Sequence, residues 1–348
     1  MAASPRSKSS PMRSENPGGI ESVGDLLPPL GFGCAPIGNL YEAVSDDDAE
    51  SALHEALGQG IRYFDTAPFY GYGLSETRLG RALAGRPRRS FMVSTKVGRR
   101  IESSTKGASD DGFAVSGHRA IFDYSRDGVR RSIDASLARL QLDRIDILLL
   151  HDPGKVTHGA DHPQILKRSL DEALPTMAAL RAAGVVDAIG IGVNEQDVCL
   201  EIMPRFDLDF ILLAGRYTLL EQQASAEVLA EAQRRSVKVI VAGPFNSGLL
   251  ANPELPGSTY NYRPVNPSML ERARKIYALA ESEGVDVGAA ALQFPLAHPA
   301  VAGVVAGLRS RSEVTSALHR LHKSIPRRFW ARLKEEGFLE FETLTPET

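Results

Sequence analysis

The sequence predicts an α/β protein, a single (β/α)8 TIM barrel with long loops at the carboxyl ends of its strands. The first observation is a set of eight short, mostly apolar runs, which is typical of strands buried on both faces of a parallel sheet. The second is that segments of helical period separate most of these runs. Eight such units in about 300 residues favour a closed barrel. A doubly wound open sheet is the competing architecture.

The strands and helices alternate along the chain from residue 30 onward. The apolar runs are LGFG (30–33), IRYFD (61–65), FMVSTK (91–96), IDILLLH (145–151), VDAIGIGV (186–193), FILLA (210–214), VKVIVA (237–242) and VAGVVAG (301–307). The segments between them include DDAESALHEALGQG and RSLDEALPTMAALRAAG. Both have the apolar spacing of amphipathic helices, and both end at a glycine, as helices often do.

The composition favours a small-molecule partner. The chain has 348 residues, 43% hydrophobic and 24% charged, with a formal net charge of −3. Nucleic acid and anionic membranes are therefore disfavoured as partners. The two cysteines, Cys34 and Cys199, form no CxxC pair, so neither a disulfide framework nor a zinc cage is indicated. A cytoplasmic location fits this cysteine usage best.

Residues 1–24 are rich in Ser, Pro and Arg and lack the apolar run of a signal peptide. They predict a disordered tail, with a transit peptide as the alternative. Residues 25–348 are then expected to form one barrel domain. No stretch reaches the roughly 18 apolar residues that a membrane span needs. No heptad repeat or unusual apolar face predicts an oligomeric state.

Three long loops interrupt the alternation of strands and helices: 98–124, 153–167 and SGLLANPELPGSTYNYRPVNPS after the seventh run. Loops of this length are usually active-site lids or disordered segments. Tyr260 and Tyr262 in the third loop could contact a sugar or a planar substrate, or could anchor the loop by packing.

Nucleotide-binding and metal motifs are incomplete. GFGCAP, GYGLSE and GIGVNE begin like the dinucleotide fingerprint G-x-G-x-x-G, but each lacks the last glycine, and no P-loop occurs. His158 and His162 in HGADH have the spacing of a helical metal pair. Because Gly154, Gly159 and Pro163 disfavour a helix there, the sequence predicts a solvated loop and no metal.

Four polar residues lie at or just after the ends of the second to fifth runs: Asp65, Lys96, His151 and Asn194. A barrel would bring all four to one mouth, whereas an open sheet would spread them along an edge. Each residue type also has a structural explanation, because Asp can cap a helix, Lys can pair with a carboxylate and His can bond to backbone. Their placement on neighbouring strand ends favours an active site.

Tyr70 lies five residues beyond Asp65 and just before two glycines that permit tight turns. A free tyrosine has a pKa of about 10, so it acts as an acid or base near neutral pH only if its phenolate is stabilised. A nearby Lys96 ammonium held by Asp65 would stabilise it, and His151 would position the substrate oxygen. A strand-end lysine could instead form a Schiff base, as in an aldolase.

Four blocks resemble the signature blocks of the aldo-keto reductases: FDTAPFYGYGLSETRLGRAL, VSTKVGR, DILLLHDP and GIGVNE. The resemblance covers about residues 30–321. It implies a (β/α)8 barrel that binds NAD or NADP without a Rossmann turn and transfers hydride to or from a carbonyl carbon. It also implies that Tyr70 donates or accepts the proton, tuned by Asp65 and Lys96. His151 would direct the substrate oxygen, and Asn194 would bind the nicotinamide carboxamide.

Further blocks, including LLAGRYTLLEQ and FNSGLLANP, are similar to the branch of that family that oxidises aldoses such as L-fucose, D-arabinose and L-galactose, and to relatives acting on pyridoxal. This similarity implies a sugar or aldehyde substrate and oxidation of an anomeric hydroxyl, or of the pyridoxal hemiacetal, to a lactone. Two alternatives stay open: reduction of aldehydes by the same site, and a non-catalytic nicotinamide-binding module like the potassium-channel β-subunits.

By the same resemblance, AGLRSRSEVTSAL would bind the phosphates and adenosine of the cofactor. Gly307 and Leu308 would approach the dinucleotide, and Ser310 would begin a helix whose N-terminus faces phosphate. Arg309 or Arg311 could bind a 2′-phosphate or be solvated turn residues, which leaves NAD and NADP both open.

Two places depart from the family pattern. Ala214 stands where many members have a glutamine that contacts the carboxamide. Ala242 and Gly243 stand where many have an aromatic residue that stacks on the nicotinamide. These departures affect the predicted cofactor contacts, which still include Gly243. They do not affect the resemblance to the family.

Overall fold

The structure, a computed structural model, describes residues 23, 24, 26–105, 111–252, 259, 260 and 263–347. The predicted disordered tail lies outside these residues apart from Val23 and Gly24, and Tyr262 lies outside them as well. Val23 packs against the apolar cluster inside the barrel.

The described residues form twelve strands, of which eight close into one parallel barrel. In chain order the strands are β1 (Leu30–Gly33), β2 (Tyr63–Asp65), β3 (Met92–Val97), β4 (Arg99–Ser103), β5 (His118–Phe122), β6 (Ile145–His151), β7 (Val186–Val193), β8 (Phe210–Ala214), β9 (Lys238–Ala242), β10 (Thr259–Tyr260), β11 (Arg263–Pro264) and β12 (Val301–Gly307). The barrel order is β1-β12-β9-β8-β7-β6-β3-β2. Its strands are the eight predicted runs, so the predicted (β/α)8 barrel is confirmed.

The α-helices of the described residues cover the outside of the barrel or lie in its loops. They are α1 (Asp46–Gly58), α2 (Leu74–Leu83), α3 (Arg126–Leu140), α4 (Lys155–His158), α5 (His162–Arg168), α6 (Leu174–Ala182), α7 (Asp197–Ile202), α8 (Ala226–Arg235), α9 (Pro267–Ser282), α10 (Val287–Gln293), α11 (Arg311–Leu321) and α12 (Arg327–Glu335). Ser45 and Ser125 cap α1 and α3 by accepting backbone N–H groups. None of these helices, within the described chain, combines the length and apolarity that crossing a bilayer requires.

Successive side chains along a barrel strand point alternately into two apolar cores. In β6, Ile147 and Leu149 point into the barrel, whereas Leu148 and Leu150 pack outward against the helices. This alternation follows from the two-residue period of a strand. The inner cluster also contains Tyr63, whose side chain fills the barrel beneath the mouth.

The register of neighbouring strands points the site residues inward. Asp65 on β2 pairs with Ser94, two residues before Lys96 on β3. Lys96 in turn pairs with Leu149, two residues before His151 on β6. Paired residues of parallel strands face the same side, and a step of two residues restores that side. All three site residues therefore project into the mouth of the barrel.

The segment around HGADH is helical, so the predicted solvated loop was wrong. Helix α4 ends at His158, and α5 begins at His162 with Pro163 in its first turn. Proline is tolerated there because first-turn N–H groups have no intrahelical partner. His158 and His162 lie on separate helices with different partners, Tyr124 and Glu201. Across the described ranges, no cluster of three or more His, Cys, Asp or Glu could hold a metal ion.

Candidate active site

Lys96 lies at the centre of the polar cluster in the barrel mouth. Its side chain is 1% exposed. Its Nζ donates to the two carboxylate oxygens of Asp65 at 3.0 and 2.8 Å and to the carbonyl oxygen of Thr66 at 2.9 Å. It also lies 3.0 Å from the phenolic oxygen of Tyr70. Every N–H of the ammonium has a partner, which is the condition under which a buried ion pair is tolerated.

Two hydroxyl groups below the ion pair hold Asp65 in place. Ser94 Oγ donates to Asp65 Oδ1 at 2.7 Å, and Tyr63 Oη lies 2.8 Å from Ser94 Oγ. Tyr63 precedes Asp65 by two residues and Ser94 precedes Lys96 by two. Neither supporting residue was part of the predicted site, although the two-residue period of the strands was a signal that could have found them.

Tyr70 begins a short 3₁₀ turn, Tyr70–Gly73, that folds the chain back over the barrel mouth. Gly71 in this turn has a φ of 62° and passes close to the backbone of Gly38. A Cβ at residue 71 would lie 2.3 Å from the Gly38 carbonyl oxygen, so only glycine fits. The Tyr70 ring stacks on Phe113, with 6.0 Å between centroids.

The surroundings of Tyr70 favour its protonated form. Burial raises the pKa of Tyr70 well above its ordinary value, and the carboxylates of Asp65 and Asp152 act in the same direction. Arg99 opposes them. Desolvation is the largest of these influences, so the resting side chain is a phenol.

His151 is neutral in this environment. Burial lowers the pKa of His151 well below its ordinary value, and the positive charges of Arg99 and Lys96 lower it further. Its Nδ1 is buried without a hydrogen-bond partner, and its Nε2 lies 3.5 Å from Asp152 Oδ2. A neutral imidazole has one N–H donor and one acceptor, so His151 can orient a polar group but carries no charge.

A second ion pair, which was not part of the predicted site, lies beside His151. Arg99 and Asp152 are both largely buried and form a hydrogen-bonded salt bridge. The guanidinium lies 4.1 Å from the ring centroid of Phe69 and 4.8 Å from that of Phe122. Asp152 has a left-handed φ of 46°, which turns the chain sharply after β6. No sequence signal identifies this pair, because Arg99 and Asp152 meet only when β3 and β6 lie side by side.

A cavity of about 700 Å³ opens beside Asp65 and Tyr70 and extends to the start of α11. It is lined by five of the residues predicted to bind cofactor: Asn194, Gly243, Gly307, Leu308 and Arg309. Ser310 and Arg311 are not among its lining residues. Ser310 caps α11 by accepting the backbone N–H of Glu313, and Arg311 pairs with Glu55 at 2.9 Å.

The wall of the cavity at the ends of β8 and β9 is largely apolar. Ala214 and Ala242 present only methyl groups there. The loop after β9 contributes Asn246, whose Oδ1 is buried without a hydrogen-bond partner. Tyr260, on the third long loop, lines the cavity and hydrogen-bonds to Glu221. The predicted alternatives for Tyr260, a ligand contact or an anchor, are therefore compatible with each other.

A parallel (β/α)8 barrel with a cluster of Asp, Lys, Tyr and His at its mouth is typical of a barrel oxidoreductase. The chain belongs to the aldo/keto reductase family, which it matches over residues 29–336, and it is an oxidoreductase enzyme. The predicted family is confirmed.

Two similar proteins have assigned activities. The chain is 41% identical to a D-threo-aldose 1-dehydrogenase of a Pseudomonas species, covering 90% of this chain and 95% of that protein. It is 39% identical to a pyridoxal 4-dehydrogenase of Microbacterium luteolum, covering 89% and 94%. Among solved structures, an aldo-keto reductase of Bacillus halodurans in its holo form is similar, with 28% identity, a TM-score of 0.70 and coverage of 88% and 91%.

The cavity fits the nicotinamide cofactors that this family uses. Its volume of about 700 Å³ is within the range of small-molecule sites. Asn246 lines the cavity, and its buried Oδ1 has no hydrogen-bond partner. At the other end, the N-terminus of the 11-residue helix α11 offers the positive end of its dipole to an anion.

Proposed function

We propose that the protein is an NAD(P)-dependent aldose 1-dehydrogenase, which oxidises the anomeric hydroxyl of a sugar of the L-fucose, D-arabinose or L-galactose type to the lactone. The observation that carries the proposal concerns Tyr70. Its phenolic oxygen is hydrogen-bonded to Lys96 Nζ at 3.0 Å, and its side chain lines the cavity. The 41% identity to a D-threo-aldose 1-dehydrogenase supports the substrate class. The bound nicotinamide supplies the hydride acceptor at C4.

Tyr70 is the proton-transfer group in this proposal. For oxidation, the Tyr70 phenol first loses its proton to solvent, and the resulting phenolate accepts the proton of the sugar hydroxyl. For reduction, the phenol donates its proton to the carbonyl oxygen. The Lys96 ammonium, 3.0 Å away, stabilises the oxygen whenever it carries negative charge. Asp65 holds that ammonium in place through two hydrogen bonds. Neutral His151 orients the substrate oxygen toward Tyr70.

We assign the cofactor contacts to the cavity wall. Asn194, Gly243, Gly307 and Leu308 would contact the dinucleotide directly, because they line the cavity beside Tyr70 and along its length. Ser310 would act through the N-terminus of α11, which it caps. Arg309 and Arg311 are each paired with carboxylates, so neither offers an unpaired positive charge for a 2′-phosphate.

A second candidate is pyridoxal 4-dehydrogenase, favoured by the 39% identity to that enzyme. Its substrate hemiacetal has the same H–C–O–H unit as an anomeric carbon, so the same four side chains would act on it: Tyr70, Lys96, Asp65 and His151. Aldehyde reduction would use this site in reverse. A Schiff base on Lys96 is disfavoured, because its nitrogen already binds Asp65, Thr66 and Tyr70.

The test is a substrate screen in the oxidative direction. Purified protein is mixed with L-fucose, D-arabinose, L-galactose or pyridoxal and with NAD⁺ or NADP⁺, and absorbance of the reduced nicotinamide is recorded. We expect an aldose to give the highest kcat/KM. Tyr70→Phe should abolish turnover. Tyr217→Phe removes a hydroxyl outside the cavity lining, where the ring packs on Phe294, and should retain activity.

Two outcomes would contradict the proposal. If pyridoxal is the only substrate oxidised, the second candidate replaces the first. If Tyr70→Phe retains full activity, Tyr70 is not the proton-transfer group.

A further inference from the structure

The turn that begins at Tyr70 continues through three residues with left-handed backbone. Gly71 has a φ of 62°, Tyr72 a φ of 53° and Gly73 a φ of 95°. Glycine adopts this region readily, whereas a tyrosine in it is strained. Such strain persists only where the surrounding contacts fix the residue, and it is concentrated at functional sites. The contacts of the Tyr72 side chain therefore bear on how Tyr70 is held.

Asp111, on the first long loop, contacts this turn and the neighbouring aromatic residue. Its Oδ2 accepts a hydrogen bond from the phenolic O–H of Tyr72. Its Oδ1 accepts the backbone N–H of Phe113 at 3.3 Å. Tyr72 and Phe113 are both buried, and their rings meet edge to face. One carboxylate thus joins the turn that carries Tyr70 to the ring that stacks on Tyr70.

A third segment completes a ring of contacts around Tyr70. Residues 39–41 lie antiparallel to residues 112–114, with one β-bridge and two backbone hydrogen bonds of 2.7 and 2.9 Å between them. Gly38, just before this segment, packs against the backbone of Tyr70. A Cβ at residue 38 would lie 2.8 Å from the Tyr70 carbonyl carbon. The loops that follow β1, β2 and β3 therefore contact one another in pairs, and Asp111 links the second to the third.

The orientation of the Tyr70 ring decides where its phenolic oxygen lies. The ring stacks on Phe113 at 6.0 Å between centroids and meets His151 edge to face at 6.1 Å. Rotation about the Cα–Cβ bond would move the oxygen away from Lys96 Nζ, which lies 3.0 Å from it. The Phe113 ring opposes this rotation, and Asp111 holds the backbone of Phe113. A misplacement of about 1 Å can lower a reaction rate by about 10²-fold.

We propose that Asp111 is a positioning residue for Tyr70, which it holds in the reactive orientation through Tyr72 and Phe113. The inference rests on the proposed function, in which Tyr70 transfers the proton. Asp111 is not among the described residues that line the cavity. Its removal should therefore change the placement of Tyr70 and the rate of turnover, and leave cofactor binding intact.

The first measurement reads the placement of Tyr70 without turnover. The tyrosines are replaced biosynthetically by 3-fluorotyrosine, and the fluorine NMR signal of residue 70 is assigned with Tyr70→Phe. Asp111→Leu should shift or broaden this signal, because the ring loses its fixed stacking on Phe113. Asp111→Asn keeps one oxygen for the Phe113 N–H and an amide N–H for the oxygen of Tyr72. Its signal for residue 70 should stay near the wild-type position.

Two further variants guard this measurement against a folding defect. Tyr72→Phe removes only the hydroxyl group that binds Asp111 and keeps the ring, so it should move the signal of residue 70 in the same direction as Asp111→Leu. Asp171→Leu makes the same change at an exposed aspartate that pairs with Lys167, and it should leave the signal unchanged.

The second measurement separates turnover from cofactor binding. With an aldose that the wild type oxidises, Asp111→Leu should lower kcat by about 10–10²-fold, while the NADH or NADPH dissociation constant from fluorescence titration changes by less than about twofold. Asp111→Asn should recover most of the lost kcat.

Three results would overturn the proposal: an unmoved signal of residue 70 in Asp111→Leu and Tyr72→Phe, an unchanged kcat in Asp111→Leu, or an equal loss of kcat in Asp111→Asn. The last would show that the charge of Asp111, and not its hydrogen bonds, affects turnover. Because the fluorine signal needs no substrate, failure of the wild type to oxidise any aldose would count against the proposed function alone.

Discussion

The ammonium nitrogen of Lys96 lies 3.0 Å from the phenolic oxygen of Tyr70. The same nitrogen lies 2.8 Å from Asp65 Oδ2. One buried cation thus joins a carboxylate to a phenol that has to change its protonation state in the proposed reaction. Burial raises the pKa of Tyr70, and in the proposed reaction the neighbouring Lys96 ammonium would stabilise the transient phenolate.

Lys96→Met should lower turnover by about 10²–10⁴-fold, the usual contribution of an acid–base group. Loss of the cation should raise the pKa of Tyr70 further, so the rise of kcat/KM with pH in the oxidative direction should move to higher pH. Lys96→Met also leaves Asp65 as an unpaired buried carboxylate. The double variant Lys96→Met/Asp65→Asn removes that charge and serves as the control for folding. An unshifted pH profile in an active, folded variant would contradict the role of Lys96.

His151 should make stability depend on pH. Burial keeps the pKa of His151 well below its ordinary value, so the folded protein holds it neutral while the unfolded chain protonates it below about pH 6.5. The resulting stability is present above about pH 6.5 and is lost as the pH falls. His151→Gln should reduce the slope by up to about 1.4 kcal/mol per pH unit between pH 6.5 and 5. Urea unfolding at several pH values measures this slope of the unfolding free energy against pH. The same slope for the wild type and for His151→Gln would refute the prediction.

The Arg99–Asp152 salt bridge should be strongly coupled, because both side chains are largely buried. Arg99→Met leaves the Asp152 carboxylate unpaired and should cost about 3–5 kcal/mol of unfolding free energy. Arg99→Met/Asp152→Asn should cost clearly less than the sum of the single changes. Lys167→Met, which breaks the exposed pair with Asp171, should cost at most about 1 kcal/mol. Additive losses in chemical denaturation would show that burial does not couple the pair.

Glu42 should disfavour NADP. Its carboxylate pairs with Arg309 at 2.7 Å, and Glu313 pairs with the same arginine at 3.3 Å. Glu42→Gln should free part of the Arg309 charge and strengthen NADPH binding by about two- to fivefold at low salt, with NADH binding unchanged. Glu50→Gln, an exposed change on α1 outside the cavity lining, is the charge-matched control. If Glu42→Gln changed the binding of NADH and NADPH equally, Glu42 would not be the residue that disfavours NADP.

Much of this site was predictable from local patterns. The barrel strands are apolar runs whose two-residue period needs no knowledge of their neighbours. Asp65, Lys96 and His151 were identifiable because parallel strands carry functional residues at their carboxyl ends. The prediction of a solvated loop at HGADH failed because Gly154, Gly159 and Pro163 lie at helix ends, where such residues are accepted.

The sequence by itself determined the strands, the barrel and the identity of the four residues at its mouth, since these depend on residue type and spacing along the chain. Only the tertiary structure decided the contacts and charge states. The contact between Arg99 and Asp152 forms because the fold brings distant parts of the chain together. The same packing leaves Asn246 Oδ1 without a hydrogen-bond partner. The direction of the pKa changes of Tyr70 and His151 follows from the same cause, since desolvation depends on everything that surrounds a group in three dimensions.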